Sequence, residues 1–241
     1  MAMTETGAES MGTAPSPGRR NRLWWWAGGV LAMLAVAAAI AFAVFEPIQV
    51  LPRIRLAPGF ALVDQHGETV TSEDLRGRIV LYTFTYTNCD EPCPSAEDTM
   101  AGVLERLDEV DLGDTPVELI TLSFDPGRDT ADRLAARAEL LGADGERWRY
   151  ATSAPERIRD IVGSGFRTYF EDRGDGTFAF DPTLVLVDGW GVVRGEYRYQ
   201  TLTSDVDKIL HHLEVLGEEI RNSHGAASLA YEAAHFFLCY P

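Results

Sequence analysis

Hydrophobic positions divide the chain into one uninterrupted apolar run and a longer region of alternating patterns. Leu23 to Phe45 contains no charged residue over 23 positions, and a helix of about that length can cross a bilayer. From Phe60 onward, short β-branched and aromatic runs alternate with segments whose apolar residues recur at helical spacing. The pattern predicts a membrane anchor followed by one α/β domain.

The second region predicts a definite order of strands and helices. We expect strands over 78–86, 117–124, 178–187 and 192–199, preceded by a short hairpin over 60–71 with a glycine turn. We expect helices over 95–110, 130–141, 155–162 and 204–221. Strand–helix–strand followed by a hairpin and a closing helix is the order of a thioredoxin-like fold, here with an N-terminal hairpin extension.

Charged and aromatic residues at the start of the apolar run orient the predicted anchor. Three arginines lie within residues 19–22, and three tryptophans follow at 24–26. The positive-inside rule places the N-terminus in the cytoplasm and the domain on the extracytoplasmic side of the cell membrane, in a single-pass protein. A cleaved signal peptide is the alternative, since Ala41-Phe42-Ala43 loosely resembles a cleavage site. The run nevertheless exceeds the roughly 7–15 apolar residues of a signal peptide.

We expect five segments along the chain. They are a disordered cytoplasmic stub (1–22), a transmembrane anchor (23–45), an extended linker (46–57), the thioredoxin-like domain (58–221) and an apolar, helical C-terminal tail (222–241). The formal net charge is -16. Nucleic acid is therefore excluded as a partner, because so acidic a chain repels a phosphate backbone.

Two of the three cysteines, Cys89 and Cys93, lie between a predicted strand and the next helix. Such a turn faces the carboxyl edge of an open α/β sheet, where ligands usually bind. The start of a helix favours thiolate, whereas the acidic residues around the pair (Asp90, Glu91, Glu97 and Asp98) raise thiol pKa values and favour a bound cation. The sulfurs could hold Cu(I), exchange disulfides with a partner, or form a structural disulfide that would add little stability.

The stretch from Phe60 to Pro94 resembles the Sco/SenC family of thioredoxin-fold copper proteins, which take part in assembling cytochrome c oxidase. The matching features are Asp64-Gln65 with Gly67, Asp74-Leu75 with Gly77, Tyr86-Thr87, and the Cys-x-x-x-Cys-Pro run. A second block, SFDPGRDT at 123–130, resembles the family's stretch after its next strand. The resemblance implies that Cys89 and Cys93 are copper ligands and a redox pair, and that a respiratory oxidase subunit or another copper protein is the partner.

The resemblance also implies a third copper ligand, a histidine before a late strand, which this chain lacks. Phe180 stands at the equivalent position. Two sulfurs suit Cu(I), whereas Cu(II) would lack its nitrogen donor. The adjoining Asp181-Pro182-Thr183 resembles thioredoxins, in which a cis proline faces the cysteine pair. Pro182 is therefore a candidate cis proline, with a trans proline that opens a strand as the alternative.

Two further candidate ligands lie in the C-terminal tail. His235 and Cys239 are four residues apart, which places both on one face of a helix, as metal ligands require. A tail that folds back could supply the missing ligand. The alternatives are an apolar helix packed on the domain or the membrane, and an intermolecular disulfide through Cys239.

Three functional hypotheses follow from the cysteine pair. The first is a membrane-anchored Sco-like protein that binds Cu(I), exchanges disulfides, or does both, with the more exposed Cys89 attacking and Cys93 resolving the mixed disulfide. The second is a plain thioredoxin-like reductase without copper. The third is a non-catalytic, membrane-tethered binding module.

Overall fold

The computed structural model describes residues 19–45, 49–89, 93–198, 205–223, 228, 231–232 and 234–235. The side chains of 19–23, 38–39, 41–45 and 93–95 lie outside that description, as do residues 1–18 of the predicted stub. The chain divides into two compact units, Met1–Pro47 and Ile48–Pro241. Each is described by itself.

The first unit contains one helix, α1 (Arg19–Phe45), 27 residues long. It begins at the arginines that precede the predicted anchor, and its three consecutive tryptophans are exposed. Among the residues that the structure describes, no helix is both long and apolar enough to cross a membrane. The anchor at 23–45 therefore remains a prediction.

The second unit is an eight-stranded sheet with helices on it and a separate two-stranded hairpin. The strands are β1 (Arg55–Leu56), β2 (Ala61–Asp64), β3 (Thr69–Thr71), β4 (Ile79–Thr85), β5 (Val117–Ser123), β6 (Trp148–Thr152), β7 (Phe170–Asp172), β8 (Phe178–Phe180), β9 (Thr183–Val187) and β10 (Val192–Arg198). The helices are α2 (Cys93–Arg106), α3 (Ala131–Leu141), α4 (Pro155–Ile158), continued as a π-helical segment to Gly165, and α5 (Val206–Arg221). The sheet order is β1-β10-β9-β4-β5-β6-β2-β3, and β7 pairs only with β8.

The central strands form because their β-branched and aromatic runs are buried on both faces. Every residue of β4 and β5 is buried, and the two strands run parallel with Leu81 opposite Leu119. One face of the sheet packs against α2, α3 and α5 through residues such as Met100 and Leu213. The other face packs against the segment after α4 through Val162 and Phe166. Two apolar layers on a largely parallel centre explain the near-continuous hydrophobic pattern of these strands.

Three expectations about elements are corrected by the structure. The single strand expected over 178–187 is two strands in different sheets, because Asp181-Pro182 separates β8 from β9 and proline cannot donate to a ladder. The expected linker contains β1, which pairs with β10 and so belongs to the sheet. Strand β6 was not among the expected strands.

The direction of the central strands defines two ends of the sheet. We call the end at which β4 and β5 finish, at Thr85 and Ser123, the carboxyl edge, and the end at which they begin the amino edge. Cys89 follows β4 at the carboxyl edge. The turn between β9 and β10 lies at the amino edge, because Val187 pairs with Val80 and the Gly77 N–H donates to the Gly189 carbonyl at 3.0 Å.

Candidate functional site

Cys89 lies four residues beyond β4, at the carboxyl edge, and it is disulfide-bonded. The chain has three cysteines, so its partner is Cys93 or Cys239, whose side chains are both outside the described residues. Cys89 itself is 6% exposed and belongs to an apolar cluster with Tyr86 and Phe124. Cys89 is therefore buried, and whether it is the more exposed of the two cysteines remains a prediction, because the side chain of Cys93 is outside the described residues.

Five aromatic residues, which we call the aromatic wall, line the carboxyl edge beside Cys89. They are Tyr86, Phe124, Phe170, Phe178 and Phe180. The Phe124 ring stacks on Phe170 with centroids 4.9 Å apart and meets Phe178 and Phe180 edge-on at 5.1 and 5.2 Å. Such offset and edge-on ring pairs stabilise beyond the area they bury. The hairpin β7–β8 is thus held against the ends of β4 and β5 by rings.

Phe180 belongs to the aromatic wall, and it stands at the position where the family resemblance implies a histidine ligand. Its ring lies 6.1 Å from Tyr86 and it is half-buried. Within the described part of the chain, no three His, Cys, Asp or Glu side chains come together as a metal site. A phenyl ring offers no lone pair, so Phe180 does not supply the nitrogen donor that Cu(II) prefers.

Pro182 is buried directly before β9 and lies at the same edge as Cys89. Strand β9 pairs with β4 so that Leu184 is opposite Thr83, and the Thr83 hydroxyl donates to the Thr183 carbonyl at 3.3 Å. The structure therefore brings Pro182 to the carboxyl edge, as the thioredoxin-like pattern predicts. Its cis geometry remains a prediction.

Asp129 ties the two sequence blocks of the family resemblance together. The Thr87 N–H donates to Asp129 Oδ2 at 2.9 Å, and the Thr87 hydroxyl donates to Oδ1. The Ser123 hydroxyl also donates to Asp129 Oδ2. Asp129 is 1% exposed, and a buried carboxylate needs such donors. One side chain thus fixes the backbone two residues before Cys89.

Arg128 and Asp125 extend this loop toward the aromatic wall. Arg128 Nε donates to Asp125 Oδ2 at 2.5 Å, and the guanidinium lies 5.8 Å from the Phe178 ring centroid. Burial raises the pKa of Asp125, and its bond to Arg128 opposes that shift. The Arg128 guanidinium therefore lies over the face of the Phe178 ring, a favourable cation–π arrangement that stabilises the hairpin β7–β8.

Glu97 does not add negative charge around the cysteines, contrary to the expectation from its position in the sequence. It is 1% exposed, and Arg137 of α3 makes a two-pronged ion pair with its carboxylate. The Tyr150 hydroxyl of β6 donates to Glu97 Oε1 at 2.8 Å. Burial first, and then Glu97, raise the pKa of Tyr150. The carboxylate therefore anchors α2 to its neighbours.

His235 lies at the opposite end of the sheet from Cys89. Its Nε2 is 2.9 Å from Glu219 Oε1, and Glu219 accepts from Arg194 at 2.6 Å. Arg194 also pairs with Asp188, which follows β9 at the amino edge. The seven residues of β4 separate this network from the cysteine turn, a length of about 20 Å. His235 thus lies far from Cys89, which does not support its predicted role as a ligand there, and Cys239 lies outside the described residues.

The roles of Asp129 and Arg137 were not identified from the sequence. Asp129 belongs to the second block of the family resemblance, so the joint presence of the two blocks was the available signal. Arg137 carries no such signal, because its partner Glu97 is 40 residues away.

Comparisons with known proteins show what the chain is similar to. The family model for SCO1/SenC matches residues 50–215. A putative copper-binding protein of Stutzerimonas stutzeri is 27% identical over 168 residues, covering 68% of this chain and 79% of that protein.

Two solved structures are similar in fold. One is BsSco, which contains a disulfide switch and is a member of the Sco family of cytochrome c oxidase assembly proteins. Its TM-score is 0.60 at 20% sequence identity, and the match covers 70% of this chain and 98% of BsSco. ScoI of Arabidopsis thaliana with copper bound has a TM-score of 0.58 at 22% identity, with 69% of this chain covering 98% of it. Both share the thioredoxin-like architecture described above.

Proposed function

The chain belongs to the SCO1/SenC family, and we propose that it is a membrane-anchored, Sco-like copper chaperone that works through Cys89 and Cys93. Membership supports a role in handling copper for a respiratory oxidase. The cargo is Cu(I), held by two thiolates after the disulfide is reduced. The partner is an oxidase subunit or another copper protein on the extracytoplasmic side, and residues 23–45 provide the anchor.

One observation carries the proposal: the disulfide-bonded Cys89 lies at the carboxyl edge, between the loop fixed by Asp129 and the buried Pro182. We take Cys93 as its partner, since it starts the helix that follows. Two sulfurs on a strand-to-helix turn give a reducible pair in a site where Cu(I) meets soft donors. The apolar wall beside them keeps water away from the bound ion.

The same pair supports disulfide exchange. In the reduced chain, the thiolate of Cys93 attacks one sulfur of a partner disulfide, forms a mixed disulfide and releases the other partner sulfur as thiolate. The thiolate of Cys89 then attacks Cys93, which restores the Cys89–Cys93 disulfide and frees the partner's second thiolate. Two electrons pass from this chain to the partner. The burial of Cys89 is the reason for assigning the first attack to Cys93.

An anaerobic Cu(I) titration of the reduced full-length chain in detergent, against a competing chelator, tests the copper function. We expect one Cu(I) per chain, and at least about tenfold weaker binding in Cys89→Ser and in Cys93→Ser, because each variant loses one of two soft ligands. Cys239→Ser and His235→Ala are the matched controls and should bind as the parent does. Unchanged binding in either of the first two variants would refute the two-sulfur site.

A second candidate function is thiol–disulfide exchange without copper. Phe180 at the histidine position favours it, because the ring removes a ligand while the cysteine pair and Pro182 stay in place. A reduction potential in the range of exchange catalysts, together with no measurable Cu(I) affinity, would establish this function. A chain inert in both assays would be the non-catalytic binding module.

A further inference from the structure

An open pocket of about 400 Å³ lies between the π-helical segment that continues α4 and the start of β7. We call it the arginine pocket, and its lining residues are Arg159, Gly163, Arg167, Thr168, Tyr169 and Phe170. Arg159 and Arg167 are the charged residues among them, and both are exposed. The pocket is therefore lined by two positive charges and no negative charge, in a chain whose formal net charge is -16.

The two arginines of the pocket have no acidic partner among the residues that the structure describes. Exposed arginines elsewhere on the domain, such as Arg106 and Arg147, are paired with carboxylates. Asp160 and Glu171 are close in the sequence but do not line the pocket, and Glu171 accepts from the Tyr169 hydroxyl at 2.6 Å. Two like charges that line one pocket repel each other, and a bound anion relieves that repulsion.

The backbone holds Arg167 in an unfavourable conformation. Its φ is 57°, in the left-handed region, which costs a residue other than glycine about 1–2 kcal/mol. On one side of it, the Phe166 carbonyl accepts from Arg55 at 2.9 Å, and on the other, the Thr168 N–H donates to the Val162 carbonyl at 3.1 Å. Both neighbours of Arg167 are buried. The fold therefore fixes this arginine at the pocket in spite of the strain, and strained residues cluster at binding sites.

Thr168 and Gly163 leave room in the pocket for a small polar group. Thr168 is 1% exposed, and within the described chain its buried hydroxyl has no hydrogen-bond partner. Such a hydroxyl costs free energy, so an acceptor that reaches it is favoured. Gly163 has no side chain, and a Cβ added there would come no closer than 3.9 Å to the Phe170 ring. Two guanidinium groups and one hydroxyl are all donors, and together they match the oxygens of a carboxylate.

The arginine pocket adjoins the edge of the sheet at which Cys89 lies. Phe170 lines the pocket and also belongs to the aromatic wall. The Tyr169 carbonyl accepts from the N–H of Asp181, the residue before Pro182, at 3.1 Å. Tyr169 is 50% exposed, and tyrosine and arginine are the residue types that contribute most to binding at protein interfaces. A protein that reaches the cysteine turn from this side therefore meets the arginine pocket as well.

We propose that the arginine pocket binds a carboxylate side chain of the protein partner that Cys89 and Cys93 serve. Arg159 and Arg167 donate charge-assisted hydrogen bonds to it, which are stronger than bonds between neutral groups. The pocket is open, which suits a side chain presented by another surface better than a free anion, whose sites are concave and enclosing. The inference deepens the proposed function and rests on it for the partner being a protein. It adds an acidic residue of the partner, close to the partner's own copper ligands or cysteines.

Binding of a short acidic peptide to the reduced full-length chain in detergent tests the inference. The probe is acetyl-tetraglutamate amide, and acetyl-tetraglutamine amide is its uncharged counterpart. The arginine Nε–Hε signals in nuclear magnetic resonance spectra report which guanidinium groups bind the peptide. We expect the signals of Arg159 and Arg167 to move with the acidic peptide alone. The dissociation constant should rise at least about fivefold in Arg159→Gln with Arg167→Gln, because two ion pairs are lost.

Arg106→Gln with Arg147→Gln is the matched control, because it changes the net charge equally but removes arginines that already have acidic partners. Its affinity for the acidic peptide should equal that of the parent. Equal losses in the two double variants, or signals of Arg159 and Arg167 that do not move, overturn the inference. Inorganic phosphate that binds the pocket more tightly than the peptide also overturns it. A parent that binds Cu(I) but not the peptide refutes the inference alone, whereas a parent that binds no Cu(I) refutes the copper function.

Discussion

Thr87 and Asp129 are 42 residues apart in the sequence and joined by two hydrogen bonds, through the backbone N–H and the side-chain hydroxyl of Thr87. This contact holds the loop that leads to Cys89 against the loop that follows β5. It explains in physical terms why the two sequence blocks occur together. The first block carries the cysteine, and the second supplies the carboxylate that fixes its backbone.

Asp129→Ala is expected to lower the free energy of unfolding by about 2–4 kcal/mol, because it leaves the Thr87 and Ser123 donors buried without their acceptor. Urea unfolding measures the change. Asp175→Ala is the matched control, since Asp175 Oδ1 accepts from the N–H and hydroxyl of Thr177 at 2.9 and 2.6 Å but is exposed. Water replaces those bonds, so its effect should be close to zero. Equal effects of the two substitutions would contradict the role of Asp129.

Arg137→Met is expected to destabilise the chain by about 3 kcal/mol, because it leaves the Glu97 carboxylate buried beside Tyr150 without its cation. The double variant Glu97→Gln with Arg137→Met removes the charge as well and should recover a large part of that loss. Chemical denaturation of the parent and the two variants measures both effects. If the double variant is no more stable than Arg137→Met, the ion pair is not what anchors α2.

His212 makes the stability depend on pH. It is 4% exposed, its Nδ1 is 2.6 Å from the Tyr197 hydroxyl, and burial lowers its pKa from 6.5 to about 4, helped by Lys208 and His211 and opposed by Asp205. Between these two values the unfolded chain binds a proton that the folded chain does not. The contribution of neutral His212 to the free energy of unfolding should therefore be fully present above pH 6.5. It should fall by up to about 3 kcal/mol as the pH approaches 4.

A variant pair isolates this effect. His212→Gln should flatten the pH dependence of the urea midpoint between pH 6.5 and 4. His211→Gln, the neighbouring position on the same helix with a side chain 39% exposed, should keep most of that pH dependence, because burial is the largest cause of the lowered pKa of His212. If the urea midpoint of His212→Gln depends on pH as strongly as that of the parent, another group is responsible for the titration.

Phe180→His should give the site a nitrogen donor and with it an affinity for Cu(II) that the parent lacks. We expect at least about tenfold tighter Cu(II) binding, with the absorption and electron paramagnetic resonance of a sulfur-ligated cupric ion. Ala179→His is the control, because successive residues of a strand point to opposite faces. Cu(II) binding that appears equally in both variants would show that position 180 does not face the cysteines.

The sequence predicts this fold where burial is continuous. Strands β4 and β5 follow from their uninterrupted β-branched runs, and α5 from its apolar spacing. The division of 178–187 was missed because its hydrophobic pattern continues across Asp181-Pro182, and only the hydrogen-bond partners show that the two halves join different sheets.

The candidate site was predictable in part. The cysteine pair and Pro182 come from local pattern and resemblance, and the structure places Cys89 and Pro182 at one edge. The ion pair of Glu97 with Arg137 depends on two helices meeting, and no local pattern encodes that. The position of His235 likewise depends on where the tail packs. Its spacing from Cys239 predicts a shared helix face but does not predict which part of the domain that face contacts.

The hairpin β7–β8 shares no ladder with the eight-stranded sheet, and rings hold its apolar side against the sheet. Substitutions on it can therefore alter what faces the cysteines while the strands of the eight-stranded sheet keep the hydrogen bonds that pair them. Position 180 can therefore carry a phenylalanine or a histidine without a change in the pairing of the eight-stranded sheet.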